Sequence, residues 1–274
     1  MTEMKFVVDK EKCIHCGLCV KDCSVMAIGL GENKTPKVLP GGESRCFRCQ
    51  HCMCICPVGA ISIMGKNPEN SPSIKDEVTS EELLNLMQSR RSCRHYKQEN
   101  VSEEDIKKLK NVLNYPPTGC NDRGLHFAII DNIDVMNKFR DKVNSAIVNA
   151  VATKSNQLVV EKFGDVAKMI EHGRDLLFRG APHMVIVSVD ESSSCKDIDP
   201  IIALSYFELY AKSLGLGTCW CGFVYWALTF LPELQEQLQI PENHKLSYVM
   251  LFGKPENKYK RCIQPNPYPI TMVK

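Results

Sequence analysis

Residues 13–28 read CIHCGLCVKDCSVMAI, and residues 46–61 read CFRCQHCMCICPVGAI. The second stretch is the first displaced by 33 positions: Cys13, Cys16, Cys19 and Cys23 fall on Cys46, Cys49, Cys52 and Cys56, and Val25, Ala27 and Ile28 fall on Val58, Ala60 and Ile61. Two copies of one supersecondary unit share one core, so residues 1–66 are expected to form a small domain. Each copy has the spacing C-x2-C-x2-C-x3-C. Three cysteines two residues apart wrap a tight loop around one 4Fe–4S cube, and the fourth, at the head of a short helix, reaches across to the other cube. The spacing therefore predicts one cluster on Cys13, Cys16, Cys19 and Cys56 and a second on Cys46, Cys49, Cys52 and Cys23. Gly17 lets the backbone turn close to a cluster, where N–H groups can bond the sulfides. Zinc is the competing reading, but it takes four ligands per ion and does not require this repeated run. Cys54 is an extra thiol, expected to pack rather than ligate. His15 and His51 are expected to be exposed neighbours.

The rest of the composition supports metal ligation over a disulfide scaffold. Of fifteen cysteines in the 274 residues, nine lie between Cys13 and Cys56. A secreted scaffold would spread them and would carry a signal sequence. The N-terminal MTEMKFVVDK has no apolar stretch and no small-residue cleavage site, so a cytoplasmic location is expected. A formal charge of +2 is too small for nucleic acid as a main partner. No run approaches the roughly 18 apolar residues of a membrane span. A 44% hydrophobic content fits a soluble chain with a core sufficient for one or two domains.

Residues 67–79 carry two prolines and few apolar groups and read as a linker. A second domain is expected over residues 80–274. Thr79 and Glu82 fit a capping box before a helix carrying Leu83, Leu84 and Met87. Ser102 opens another helix with Ile106, Leu109 and Val112 on one face. His126–Ile130, Met184–Val189 and Leu246–Phe252 read as strands. Ile133–His172 reads as two helices broken near Thr153–Asn156. Asp199 is expected to cap a helix that has Pro200 at its first position, is apolar nearly all round, and stops at Gly215-Leu216-Gly217. The proline-rich tail is expected to lie extended. Strands and helices mix without regular βαβ alternation, so the predicted class is α+β.

Residues 4–66 resemble the bacterial two-cluster ferredoxins, with Ser24 where the second copy has Pro57. In the second domain RRSCRHY (90–96), PPTGCNDRGLHF (116–127), FRGAPHMVIVS (178–188), IALSYFELYAKSLGLGTCWCGF (202–223) and YVMLFGKPENKYKR (248–261) together resemble the FMN-dependent nitroreductase family. That resemblance implies an intertwined α+β homodimer with FMN at the interface. It implies Arg90, Arg91, Ser92 and Arg94 on the phosphate and ribityl chain. Pro117, Thr118 and Asn121 would reach the flavin, often from the partner subunit. Cys219, Trp220, Cys221 and Gly222 would lie along the ring, with Lys260 or Arg261 closing on the phosphate. Two departures stand out: Asn121-Asp122-Arg123-Gly124-Leu125 replaces Asn-x-Gln-Pro-Trp, and CIQPNP replaces a terminal proline–arginine.

Together the two resemblances imply an oxidoreductase that passes electrons from two 4Fe–4S clusters to FMN and on to a nitro, quinone or activated-alkene acceptor. The expected donor is reduced ferredoxin or its reductase, with NAD(P)H as a further donor, and no side chain stands out as a general acid. The alternatives are a non-catalytic redox carrier or sensor, and a specialised flavin enzyme such as a dehalogenase or oxidase on the same scaffold.

Overall fold

The computed structural model describes residues 3–74 and 78–273. The chain divides into two compact units, one of Met1–Glu77 with Cys120–Asp122 and the other of Val78–Gly119 with Arg123–Lys274. Of the expected linker, residues 75–77 lie outside the described residues. Its first part is ordered: Asn67 accepts the Glu69 amide at 3.0 Å and caps a 3-10 turn at Pro68–Asn70, and Glu69 meets Lys12 at 2.8 Å.

The first unit contains β1 (Val7–Val8), α1 (Leu18–Lys21), β2 (Ile28–Leu30), β3 (Pro36–Val38), α2 (Gly42–Arg45), α3 (His51–Cys54) and β4 (Ile61–Ser62). β1 pairs antiparallel with β4, and β2 with β3. Met4, Cys19, Ala27, Ile28, Met53, Ile61 and Ile63 form one core from both copies of the repeat. The repeat extends to backbone conformation: Gly17 at φ 73 precedes α1, and Gln50 at φ 65 precedes α3. Gln50 does without glycine's freedom in this left-handed conformation, at a cost of about 1–2 kcal/mol.

The short helices begin before the fourth cysteines, contrary to the spacing's expectation. The fourth cysteine of each run does not head a helix. Cys19 and Cys52 lie inside α1 and α3, while Cys23 and Cys56 follow their C-terminal ends. The left-handed residue before each helix starts the turn early, so the helix takes up the third cysteine instead.

In the second unit β5 (Leu125–Ile130), β6 (His183–Asp190), β7 (Gly217–Trp220) and β8 (His244–Gly253) form an antiparallel sheet in the order β5-β6-β8-β7. Its helices are α4 (Ser80–Ser89), α5 (Glu103–Val112), α6 (Ile133–Thr153), α7 (Gln157–Glu171), α8 (Asp199–Ser213) and α9 (Gly222–Phe230). β6 is buried on both faces, which explains the apolar run Met184–Val187. Met184 and Ile186 join a core with Phe139 and Val143 of α6, Phe163 of α7 and Val224 of α9. Val185 and Val187 join a second core with Leu109 of α5 and Leu204 and Phe207 of α8. Each such fully buried side chain contributes about 1.5–3 kcal/mol.

The capping signals locate several boundaries. Thr79 and Glu82 form the expected box, Ser102 caps α5, and Asn156 restarts the chain as α7 after left-handed Lys154. Asp199 does not cap α8, contrary to expectation. It is the helix's first residue, and its carboxylate instead accepts the Gly119 amide at 3.0 Å. Within one chain α8 leaves Ile201 and Tyr206 40% and 42% exposed. Residues 256–273 are exposed and lie in no helix or strand. Among the described residues no helix is long and apolar enough to cross a membrane.

Candidate functional site

The cysteine loops bring the first predicted set of ligands together. Cys13, Cys16, Cys19 and Cys56 line one cavity, so three residues of the first run meet the last residue of the second. Cys23, Cys46 and Cys52 pack against the same core. Amides already point at sulfur: Ala27 N–H to Cys23 Sγ at 3.3 Å, Ala60 N–H to Cys56 Sγ at 3.2 Å, and Arg48 N–H to Cys46 Sγ at 3.4 Å. The first two bonds are related by the repeat. Such N–H groups stabilise thiolate bound to metal. All the cysteines are free. Burial pushes the Cys52 thiol up to about 12, so a thiolate there needs a cationic core beside it. The donor set therefore fits a pair of iron–sulfur cubes. Among the described residues no three His, Cys, Asp or Glu groups are arranged to hold a single metal ion. The thiolates of a cube bind different irons and do not converge on one point. Cys54 is exposed rather than packed, because it faces outward at the end of α3. His15 and His51 are exposed as expected, 3.4 Å from Thr35 Oγ1 and Asp22 Oδ2 respectively.

In the second unit the segment after α4 runs extended beside β7. Ser92 bridges Thr218 in parallel, and the Cys93 amide donates to the Thr218 carbonyl at 2.7 Å. The arginines of RRSCR consequently separate. Arg90 pairs with Glu208 of α8 at 3.3 Å, and the Thr218 hydroxyl donates to the same carboxylate oxygen at 3.2 Å. Arg91 enters a cavity of about 450 Å3 lined also by Lys212, Lys258, Lys260 and Arg261, with no carboxylate among the lining residues. Its Nη1 donates to the Arg90 carbonyl, while its buried Nη2 has no hydrogen-bond partner. A buried guanidinium donor left unmatched among five cations is what a phosphate-bearing ligand satisfies.

Arg94 enters a different cavity, of about 320 Å3, beside Cys219, Trp220, Cys221 and Gly222. This wall is the end of β7 and the start of α9, neither of which was read from the sequence. Cys219 and Cys221 are buried, and burial raises both thiols, Cys221 to about 12. Cys221 donates to the Leu177 carbonyl at 3.2 Å, so these are packed, protonated thiols. Sequence reasoning missed Lys162 and Arg179, which line the same cavity. Arg179 had a readable signal in Arg179-Gly180-Ala181-Pro182, a turn sequence; Lys162 had none.

The third expected piece stands apart. Thr118 and Arg123 line a cavity of about 430 Å3 with Leu125 and Phe127, sharing no residue with the other two. Pro117 is exposed. Thr118 Oγ1 accepts the Arg123 amide at 3.1 Å, and Arg123 Nη1 donates to the Pro116 carbonyl at 3.4 Å. Asn121 belongs to the first unit, where its Nδ2 donates to the Phe47 carbonyl at 2.9 Å. The loop's root is fixed tightly: a Cβ on Gly119 would lie 2.4 Å from Cys195 Sγ.

Residues 87–254 match the sequence model of the Nitroreductase family, and residues 12–60 that of the 4Fe-4S dicluster domain. A putative NADH dehydrogenase/NAD(P)H nitroreductase of Archaeoglobus fulgidus is 25% identical over 183 residues, covering 65% of this chain and 88% of the relative. A ferredoxin of Pyrobaculum islandicum is 35% identical over 71 residues, 26% of this chain and 61% of the relative. Among solved structures, a nitroreductase with bound FMN from Desulfitobacterium hafniense DCB-2 superposes with a TM-score of 0.57 at 24% identity, covering 70% of this chain and 98% of that one. Oxidised iodotyrosine deiodinase bound to FMN and 3-iodo-L-tyrosine superposes at 0.51 and 18% identity, covering 70% and 99%. At these identities the superpositions establish the fold alone.

Proposed function

The chain belongs to the nitroreductase family and carries an N-terminal 4Fe-4S dicluster ferredoxin domain, and we propose that it is a ferredoxin-coupled FMN oxidoreductase. It takes electrons from a one-electron donor and delivers them to a nitro, quinone or activated-alkene acceptor. The single observation that carries the flavin assignment is the cavity in which Arg91, with its unmatched Nη2, faces Lys258, Lys260 and Arg261. When bound, the clusters supply one-electron transfer and the flavin supplies two-electron chemistry on the acceptor.

The protein's own residues bind, neutralise and shield. Cys13, Cys16, Cys19 and Cys56 hold one cluster, and Cys46, Cys49, Cys52 and Cys23 the other. Arg91, Lys260 and Arg261 neutralise the flavin phosphate, with Ser92 on the ribityl side. Arg90 anchors this segment through Glu208. Arg94 and the segment from Cys219 to Gly222 flank the ring. The protonated thiols and Trp220 exclude water there without offering an acid of suitable pKa, so protons come from solvent. Thr118 and Pro117 serve the partner's flavin in a homodimer, a reading supported by the cavity at Thr118, which shares no lining residue with the basic cavity, and by the outward Ile201 and Tyr206 of α8. The favoured donor is reduced ferredoxin or its reductase. The Archaeoglobus relative's designation supports NAD(P)H as a second donor.

The test is composition and turnover. Anaerobically purified protein should be brown, hold about eight irons per chain, and carry FMN that turns over with nitroaromatics or quinones. Protein that binds zinc in place of iron, or that reconstitutes without flavin, contradicts the proposal.

A further inference from the structure

Arg179 has an unusual backbone. Its φ is 53, a left-handed conformation uncommon for a residue with a side chain, and Gly180 follows at φ 67. The conformation is imposed from outside the turn. The Asp175 carboxylate accepts the Phe178 amide at 2.8 Å and the Gly180 amide at 2.9 Å. Arg140 meets Asp175 at 3.0 Å and donates to the Ala181 carbonyl at 2.7 Å, while Gln98 holds the Gly180 carbonyl at 2.9 Å. Strained residues persist only where the surroundings over-determine them, and they gather at functional sites. Here the strained residue sends its guanidinium to the cavity beside Cys219.

That cavity has a marked charge and shape. Arg94, Lys162 and Arg179 line it, with no carboxylate among its lining residues. The one nearby acid in the turn, Asp175, is already paired with Arg140. Trp220, Phe223 and Trp226 supply flat apolar surface, and Lys162 Nζ lies 5.3 Å over the Trp226 ring. Arg94 and Arg179 both lie near enough to act on the Cys219 thiol, as does the Glu208 carboxylate, which is itself paired with Arg90. Arg94 is assigned to the flavin above. Arg179 and Lys162 are then surplus cations beside aromatic side chains.

We propose that Arg179 and Lys162 make this cavity selective for an aromatic acceptor bearing a carboxylate, with Arg179 gripping the anion and Trp226 and Phe223 packing on the ring. The proposal rests on the reading of this cavity as the flavin's. A guanidinium held in advance loses little freedom on pairing, and its planar fork matches a carboxylate.

The experiment uses full-length, iron-replete protein whose FMN content is measured first. Binding of 4-nitrobenzoate and of the uncharged 4-nitrobenzamide is followed by quenching of tryptophan fluorescence, and turnover of both by steady-state kinetics. The acid is expected to bind at least about 10-fold more tightly than the amide. The preference should appear in KM rather than kcat and weaken as salt rises. Arg179→Gly should abolish it, costing the acid far more affinity than the amide, with the fold retained because glycine accepts the left-handed backbone without strain. Lys162→Gln, on the outside of α7, should reduce it. Equal binding of acid and amide by flavin-loaded protein overturns the inference. So does a preference that survives both substitutions. Protein that folds but takes up no flavin refutes the cofactor reading instead, which keeps the two failures distinct.

Discussion

The Arg90 guanidinium lies 3.3 Å from the Glu208 carboxylate, joining the end of α4 to the buried side of α8. Glu208 is 8% exposed and also accepts the Thr218 hydroxyl, so a helix end, a core helix and an edge strand meet at one carboxylate. Arg90, one of three arginines expected on the phosphate and ribityl chain, is thus engaged by Glu208. Its neighbour Arg91 is the one with a donor to spare.

Removing Arg90 should lower stability. Arg90→Ala leaves a largely buried carboxylate without its counter-charge, at a cost of about 1–3 kcal/mol given partial solvent screening. At about 2–4 °C per kcal/mol, the melting temperature should drop by several degrees. Adding Glu208→Gln should recover part of the loss, which a thermal-melt comparison of the three proteins checks.

Arg91→Ala should act on flavin instead. Losing one charge-assisted contact costs about 1.5–3 kcal/mol, or roughly 10- to 100-fold in flavin affinity. Dialysed protein should then show a low flavin-to-protein ratio with iron content and melting temperature little changed. Retained stoichiometric flavin would contradict the assignment of this cavity.

The sequence made the periodic and covalently spaced features legible. The displacement of Cys13 onto Cys46 exposed the repeat, and Thr79, Ser102 and Asn156 marked helix starts because caps act through local bonds. The antiparallel sheet with helices on both faces agrees with the expected α+β class. What stayed hidden depends on distant partners. Gly217–Trp220 has no alternation and became a strand only because Thr218 and Cys219 pair with Phe252 and Leu251. The apolar start of α9 carried no cap. Asp199 looked like a cap, but its carboxylate was taken by Gly119, eighty positions earlier in the chain. In the same way, five adjacent residues suggested one anion site, yet extended backbone and Glu208 distribute Arg90, Arg91 and Arg94 among three surroundings.

Acid should weaken the second unit through His183. The side chain is fully buried, Nε2 accepts the Val101 amide at 2.9 Å, and burial holds its pKa down to about 4. The unfolded chain protonates this imidazole near 6.5. Between those values the unfolded state binds more protons, so stability is full above about pH 6.5 and falls as the pH drops toward 4, by about 2 kcal/mol at pH 5. Denaturant titrations at pH 7 and pH 5 should show this loss, and His183→Gln should lack that part of it.

Gly119→Ala should be costly for steric reasons alone. The new Cβ would lie 2.4 Å from Cys195 Sγ and 2.9 Å from its Cβ, forcing the loop root away from Asp199. A loss of about 1–3 kcal/mol in denaturant stability is expected. Limited proteolysis near Cys120 should accelerate with it.

Electron entry at the cysteine-bound clusters and exit at the flavin is tested most directly by anaerobic stopped-flow, with reduced ferredoxin as donor and flavin absorbance as the readout. Wild-type protein should bleach its flavin rapidly. A Cys16→Ala/Cys49→Ala variant that keeps stoichiometric flavin but lacks intact clusters should fall to the background rate. Bleaching at the wild-type rate in that variant would contradict the account.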